Sequence, residues 1–417
     1  MYKNKILAAG FLLLFICTVG CRSIDDGKGG KPSLGNMGIN AGMDGSVGRE
    51  EATIANVTHG GSSVHVVAAG DNMVQTGVVN SAASHAEEGE YNFGFCYDGA
   101  KDIISRGDVK IINQETLICD NEDIEISHSN RNFNSPVEVG SALIDTGFNV
   151  FSMANNHLLD KGVGGLESCM TYWEKMKGNY HGLITYGVYK NEADMNNIRV
   201  CEISGIKIAF LAYTENVNSY DYLEDSEIQI VLTSEEDKIK SQIEAAHTVA
   251  DAVIVSVHWG TEDSFEVSES VNQLAQNMID WGADVILGTH PHVPQTMEYL
   301  TRPDGTQGFV FYSLGNFISS QTYNINLIGE IAEFDIETDI ENNVSVKNVQ
   351  VSPVITHFEG TDYEELRVIP YRDYTEELCS AHGLPQVSGI APYNEWSMEK
   401  IKEIIDTGIP AEYQKLD

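Results

Sequence analysis

Asp284-Val285-Ile286-Leu287-Gly288-Thr289-His290-Pro291-His292 joins an apolar run to a glycine and two histidines one residue apart. A short apolar run closed by turn-forming residues reads as a buried strand. Histidines just past its end can both aim at one point above the sheet edge. Four other apolar runs finish in the same way. Val64 to Ala69 runs into Gly70-Asp71, and Val109 to Ile112 into Asn113-Gln114-Glu115. Asn149 to Met153 leads to Asn155-Asn156-His157, and Ala252 to Val257 ends at His258-Trp259-Gly260. Five strand tips that end in oxygen or nitrogen donors point to one metal-centred α/β body.

Between these runs lie helical patterns. Ser135-Pro136 reads as N-cap and first helical position for a helix through Leu143 and Ile144. Gly165 to Lys177 reads as helix, Ser234 with Asp237 resembles a capping box that starts a helix to about Val249, and Ser268 to Trp281 reads as a further helix. Ser204-Gly205, between Ile198–Ile203 and Ile206–Ala212, reads as a hairpin turn. Strands alternating with helices predict a layered α/β architecture with ligands at the carboxyl ends of the strands. After Ile328 the texture turns to strands, at Ile331–Ile336, Val344–Val351 and Leu366–Tyr371, with a short helix at Met398–Ile405. This tail either finishes a sheet or stands as a small appendage.

The expected organisation is an export signal over 1–21, a glycine-rich tether over 22–62, a main domain over 63–330 and C-terminal strands with a short helix over 331–417. Lys3 and Lys5 precede the apolar stretch Ile6 to Ile16, and Thr18-Val19-Gly20-Cys21 resembles a bacterial lipobox. Cys21 is then the lipidation site, which predicts an extracytoplasmic protein anchored to a membrane through lipid. Without Cys17 and Cys21, five of the seven cysteines remain, an odd number, and no Cys-x-x-Cys occurs. Hydrophobic residues make up 42% of the 417 and suffice for a large core. The 62 Asp and Glu against 25 Lys and Arg give a net charge of −37, which argues against nucleic acid as a partner.

Taken singly, each candidate has a plain structural reading. Asp71 can cap a turn, Asn155 and Asn156 can be loop residues, and His258 can be a hydrogen-bonded structural histidine. Together, Asp71, Glu115, Asn156, His258, His290 and His292 form a mixed nitrogen and oxygen donor set. That set suits one or two divalent transition-metal ions, Mn, Fe or Zn, better than Ca or Mg. The histidines at 65, 85, 128, 181, 247, 357 and 382 lack such settings and read as structural.

The order of blocks resembles the calcineurin-like metallophosphoesterase pattern. It is more similar to the CapA family of poly-γ-glutamate capsule synthesis proteins, through Ala69-Gly70-Asp71-Asn72-Met73, Asn113-Gln114-Glu115-Thr116, Ala154-Asn155-Asn156-His157, His258-Trp259-Gly260-Thr261-Glu262, His290-Pro291-His292 and Tyr312-Ser313-Leu314-Gly315-Asn316-Phe317. The resemblance implies a four-layer α/β/β/α sandwich with two stacked sheets. It also implies that the six donors hold the metals and that His157, positioned by Asp160, is a general acid. Met73 stands where the phosphoesterase pattern has a histidine, and a thioether is a poor ligand for a hard ion. Gln75 and Thr76 stand where the capsule family has Gly-Arg.

The leading expectation is a capsule-biosynthesis protein that binds or processes poly-γ-glutamate or a related anionic envelope polymer. A metal-dependent phosphoesterase is the second. A non-catalytic scaffold in a membrane polymer-synthase complex is the third.

Overall fold

The computed structural model describes residues 61–129 and 132–417. The export signal, Cys21 and all but the last two residues of the tether lie outside the described residues. In chain order the strands are Ser63–Asn72 (β1), Val109–Gln114 (β2), the short pair Ser127–Ser129 (β3) and Asn132–Asn134 (β4), Val150–Ser152 (β5) and Ile184–Tyr186 (β6). Arg199–Ile203 (β7), Ile206–Thr214 (β8), Ala252–His258 (β9), Val285–Thr289 (β10), Met297–Thr301 (β11) and Gln307–Phe311 (β12) follow. Asn316–Ile318 (β13), Ile328–Thr338 (β14), Val344–Glu359 (β15) and Glu364–Pro370 (β16) complete them.

An eight-stranded sheet runs β16-β15-β14-β1-β2-β5-β6, with β13 beside the end of β1, and a six-stranded sheet runs β11-β12-β10-β9-β8-β7. The C-terminal strands finish the larger sheet rather than standing apart from it. Side chains alternate across each strand, and the alternation sorts the core into three clusters. Val67 and Ile112 face the helices Thr76–Ser84, Glu138–Thr146 and Gly162–Asn179 through Val78, Leu143 and Trp173. Val66, Ala68 and Ile111 face the other way, against Ile208, Phe210, Leu287 and Phe309 of the second sheet. Ala209, Val253 and Ile286 turn outward to Ile239 and Ile243 of helix Glu236–Ala246 and Met278 of helix Glu269–Asp280. Helix, sheet, sheet, helix is therefore the order of layers. Helix Met398–Gly408 plugs the space between the sheets with Ile401, Ile404 and Ile405.

The hairpin turn has positive φ at Ser204 and Gly205 (54° and 81°), as a two-residue primed turn needs. Two expected helix starts are wrong. The helix after Pro136 begins at Glu138 with no side-chain cap, because the Ser135 hydroxyl is spent on Thr116 Oγ1 at 2.9 Å. The helix after Ser234 begins at Glu236, also uncapped, and Glu235 Oε2 instead accepts the Leu232 N–H at 2.9 Å. The helix expected from Gly165 also starts earlier, at Gly162. Five cysteines in the described region are free thiols. Among the described residues no helix is long and apolar enough to cross a membrane.

Two histidines read as structural are buried in the C-terminal part. His382 Nδ1 accepts the Leu384 N–H at 3.0 Å and its Nε2–H donates to Thr356 O at 3.2 Å, which only the neutral ring can do. Burial pushes His382 down to about 3 and His357 down to about 4. Both folded values lie below the ordinary histidine value of about 6.5. The stability they carry is therefore complete above that value and is lost as pH falls toward 4 and then 3. Replacing His382 with Gln, whose amide can mimic the neutral ring, should flatten this acid limb. We expect the wild type to lose on the order of 3 kcal/mol relative to His382→Gln between pH 6.5 and 4. Urea unfolding across that range measures it, and parallel curves would refute the assignment.

Candidate metal centre

All six expected donors meet at one place, where the carboxyl ends of parallel strands from both sheets converge. β1 and β2 run parallel, as do β8, β9 and β10. Close approach of neighbouring strands demands glycine just before two donor segments. A Cβ on Gly70 would lie 1.9 Å from Gly315 O, and one on Gly288 1.9 Å from Tyr312 O. The His290-Pro291-His292 turn then takes an unfavourable backbone, with φ of 97° and 59° at its histidines. Such positive φ at non-glycine residues costs about 1–3 kcal/mol each and clusters at functional sites. The Asp71 carboxylate offsets part of it by accepting the His290 N–H at 3.1 Å.

The donors form two groups around Glu115. In one, Asp71, Glu115 and His292 place ligand atoms within 4.8 Å of one another, all buried, and this group could hold a metal ion. His292 Nδ1 lies 3.2 Å from Asp71 Oδ2, and its Nε2 lies 3.9 Å from Glu115 Oε1. In the other, His258 Nε2 sits 3.1 Å from both Asn156 Oδ1 and His290 Nδ1, and 3.7 Å from Glu115 Oε1. Donors about 2.1 Å from an ion at tetrahedral angles lie about 3.4 Å apart, so both spacings suit coordination.

The deciding observation is Glu115 itself. Both of its carboxylate oxygens are buried and neither has a hydrogen-bond partner. A buried carboxylate without partners is costly, and a shared cation removes that cost. The protonation pattern agrees. Burial first, and the neighbouring Asp71 second, raise Glu115 well above the usual carboxylate range. Burial disfavours charge on His292, yet Glu115 and Asp71 carry it up to about 10. Burial also pulls His258 well below the ordinary value and His290 down to about 4, leaving both as neutral ligand nitrogens. A cation bound there would take the place of the proton that burial favours on Glu115.

Outer contacts fix the donors. Asn113 is paired in register with Asp71 across β1 and β2, and its Nδ2–H donates to Asp71 Oδ1 at 2.7 Å. On the other side Asn316 is in register with Asp71, and His292 Nδ1 lies 3.0 Å from Asn316 Oδ1. Thr289 Oγ1 sits 3.0 Å from His258 Nδ1. Such outer hydrogen bonds set ring orientation and basicity. Reading the sequence had placed Asn113 and Asn316 within recognisable blocks without giving them these roles.

His157 stands apart from the two groups. Its Nδ1–H donates to Asp160 Oδ2 at 2.8 Å, which also accepts the Phe133 N–H at 2.9 Å. Its Nε2 lies 3.8 Å from Glu115 Oε1, and the Phe133 ring packs edge-on against it at 4.8 Å. Above the centre opens a cleft of about 570 Å³, whose wall includes Met73, Gln75, Asn216, Asn218, Glu262 and Gln321. Met73 is buried where the phosphoesterase pattern has a ligand, so the Asp71 group has one donor fewer. Gln75 accepts the Ser320 N–H at 2.8 Å and so braces one cleft wall.

Among solved structures, this chain is similar to an NAD nucleotidase of Haemophilus influenzae, with TM-score 0.42 and 11% identity over 85% of this chain and 64% of that one. It is also similar to a hypothetical protein from Thermus thermophilus, with TM-score 0.39 and 16% identity over 69% and 98% of the two chains. By sequence it is 31% identical to the capsule biosynthesis protein CapA of Bacillus anthracis, over 49% of this chain and 48% of that protein. It is 29% identical to the PGA biosynthesis protein CapA of Bacillus subtilis, over 52% and 53%. The chain thus spans about half the length of the curated relatives it matches. Residues 65–321 match the family described as bacterial capsule synthesis protein PGA_cap. That span begins in the first strand of the large sheet and ends beyond Asn316, taking in every donor of the centre, and the chain belongs to this capsule synthesis family.

Proposed function

We propose that the protein is an extracytoplasmic capsule-biosynthesis factor, tethered through lipid on Cys21, that binds or processes poly-γ-glutamate or a related anionic envelope polymer at a two-ion metal centre. The observation that carries the reading is Glu115, a buried carboxylate with no hydrogen-bond partner, flanked on both sides by donor groups at coordination spacing. The donor set of three histidines, one asparagine and two carboxylates suits Mn, Fe or Zn. A bound pair of such ions polarises a carbonyl or phosphoryl oxygen and stabilises charge that develops on it.

The remaining steps belong to the chain. As water adds to the reacting carbonyl or phosphoryl centre and the scissile bond breaks, His157 Nε2–H gives a proton to the leaving atom, and Asp160 holds the ring in that orientation. Phe133 covers the ring and limits its motion. The net charge of −37 opposes an anionic polymer, and bound divalent ions reverse that field locally. A phosphoester-cleaving reading draws on the same His157–Asp160 pair beside two donor groups.

Elemental mass spectrometry on protein lacking residues 1–21 tests the metal centre. We expect about two transition-metal ions per chain, and poly-γ-glutamate binding that disappears on chelation. No metal bound, and none taken up from Mn, Fe or Zn, would sink the centre. Metal without polymer binding would sink the polymer and leave the centre standing.

A further inference from the structure

The cleft wall is built of neutral amides. Gln75, Asn216, Asn218 and Gln321 line it, and none of its described lining residues is Lys or Arg. Sites that take phosphate groups usually present Arg or Lys to them. Outside the donor groups, the charged side chain on the wall is instead a carboxylate, Glu262. It is exposed, on the same wall as His290 and His292. Its charge is felt at Glu115, His290 and His292.

Glu262 does not hang on a loose loop. The turn that carries it follows the end of β9 and is pinned on both sides. Glu215 Oε2 accepts the Gly260 N–H at 2.8 Å, and Pro291 O accepts the Asp263 N–H at 2.9 Å. Asn326 Nδ2–H donates to Asp263 Oδ1 at 2.8 Å, and Asp263 takes a positive φ of 62° to complete the turn. A strained, thrice-anchored turn thus holds one carboxylate on the cleft wall that His290 and His292 share. Among the described residues that carboxylate has no ion-pair partner within 4.0 Å.

We propose that Glu262 sets the charge preference of the cleft, repelling a dianionic phosphate from the centre and leaving a neutral amide or ester carbonyl as the favoured reacting group. The amide side chains around it fit this role, since each can both donate to and accept from a polyamide without adding charge. The inference rests on the metal centre of the proposed function and narrows its substrate to a carbonyl class.

Inorganic phosphate is the probe. Calorimetric titration of phosphate into metal-loaded wild type and Glu262→Gln, with metal counted in both, isolates the charge because the substitution keeps the side chain's shape. We expect about tenfold tighter phosphate binding in the variant, about 1.4 kcal/mol, at equal metal content. The ratio should shrink toward one between about 0.01 M and about 1 M ionic strength, as the screening length falls from about 30 Å to about 3 Å. Equal phosphate affinities would overturn the proposal. A lower metal content in Glu262→Gln would overturn it too, since Glu262 would then be a ligand. A wild type that takes up no metal would bring down the metal centre, and this inference with it.

Discussion

Glu115→Gln will abolish the gain in stability that divalent metal gives the wild type, while leaving the metal-free protein as stable as before or more so. The two halves of this expectation have one cause. In the metal-free protein the Glu115 carboxylate is buried among Asp71, His258 and His292 with no hydrogen bond to either oxygen. Burying it at neutral pH requires taking up a proton, and glutamine, already neutral, lifts that cost. With metal bound, the same carboxylate would be the donor common to both groups, so its loss would weaken both at once. Ligand present at about a thousand times its dissociation constant stabilises a fold by about 4 kcal/mol. We therefore expect a metal-dependent rise in Tm for the wild type and none for Glu115→Gln. His292→Ala should lose the ion held with Asp71 and retain part of the effect through His258, His290 and Asn156. If Glu115→Gln keeps the full metal-dependent rise, the shared-ligand geometry is wrong.

The sequence exposed this centre because its donors sit at predictable points. A parallel strand buried on both faces reads as an uninterrupted apolar run, and the first polar residue beyond it falls at the sheet edge. Asp71, Glu115, His258 and His290 all lie within three residues of the end of such a run, so their convergence was legible in the sequence. The helix starts at Ser135 and Ser234 were not, because a hydroxyl can serve a neighbouring segment as well as its own helix, and Ser135 serves Thr116. The outer contacts were invisible for a related reason. Asn113 and Asn316 look like ordinary strand-end asparagines until pairing on both sides of β1 brings them into register with Asp71. The amide wall depends on loops far apart in the chain, at 216–218, 262 and 321, and no local pattern announces their meeting. Periodicity thus brought out the converging donors, and tertiary pairing supplies the contacts that orient them.

On the proposed reading that the centre hydrolyses poly-γ-glutamate, His157→Ala should lower the rate by about a hundredfold to ten-thousandfold at unchanged metal content, the range typical of a lost general acid. His157 is suited to that role by where its two nitrogens point. One is fixed by Asp160 at 2.8 Å, and the other lies 3.8 Å from Glu115 Oε1, facing the centre without joining either donor group. Asp160→Asn separates orientation from charge. Asp160 Oδ2 accepts both the His157 ring N–H and the Phe133 N–H, so an asparagine oxygen in that place keeps both bonds and removes only the carboxylate's charge. We expect its loss to be smaller than that of His157→Ala, and the loss in Asp160→Ala to approach it. Product chain length by size-exclusion chromatography, with metal counted in each variant, provides the readout. A His157→Ala protein that cleaves polymer at the wild-type rate would remove the acid from the mechanism. Cleavage lost together with metal would instead make His157 part of the donor set. Because Asp160 reaches the centre only through the His157 ring, the ranking of the three variants distinguishes proton delivery from simple structural support of the loop.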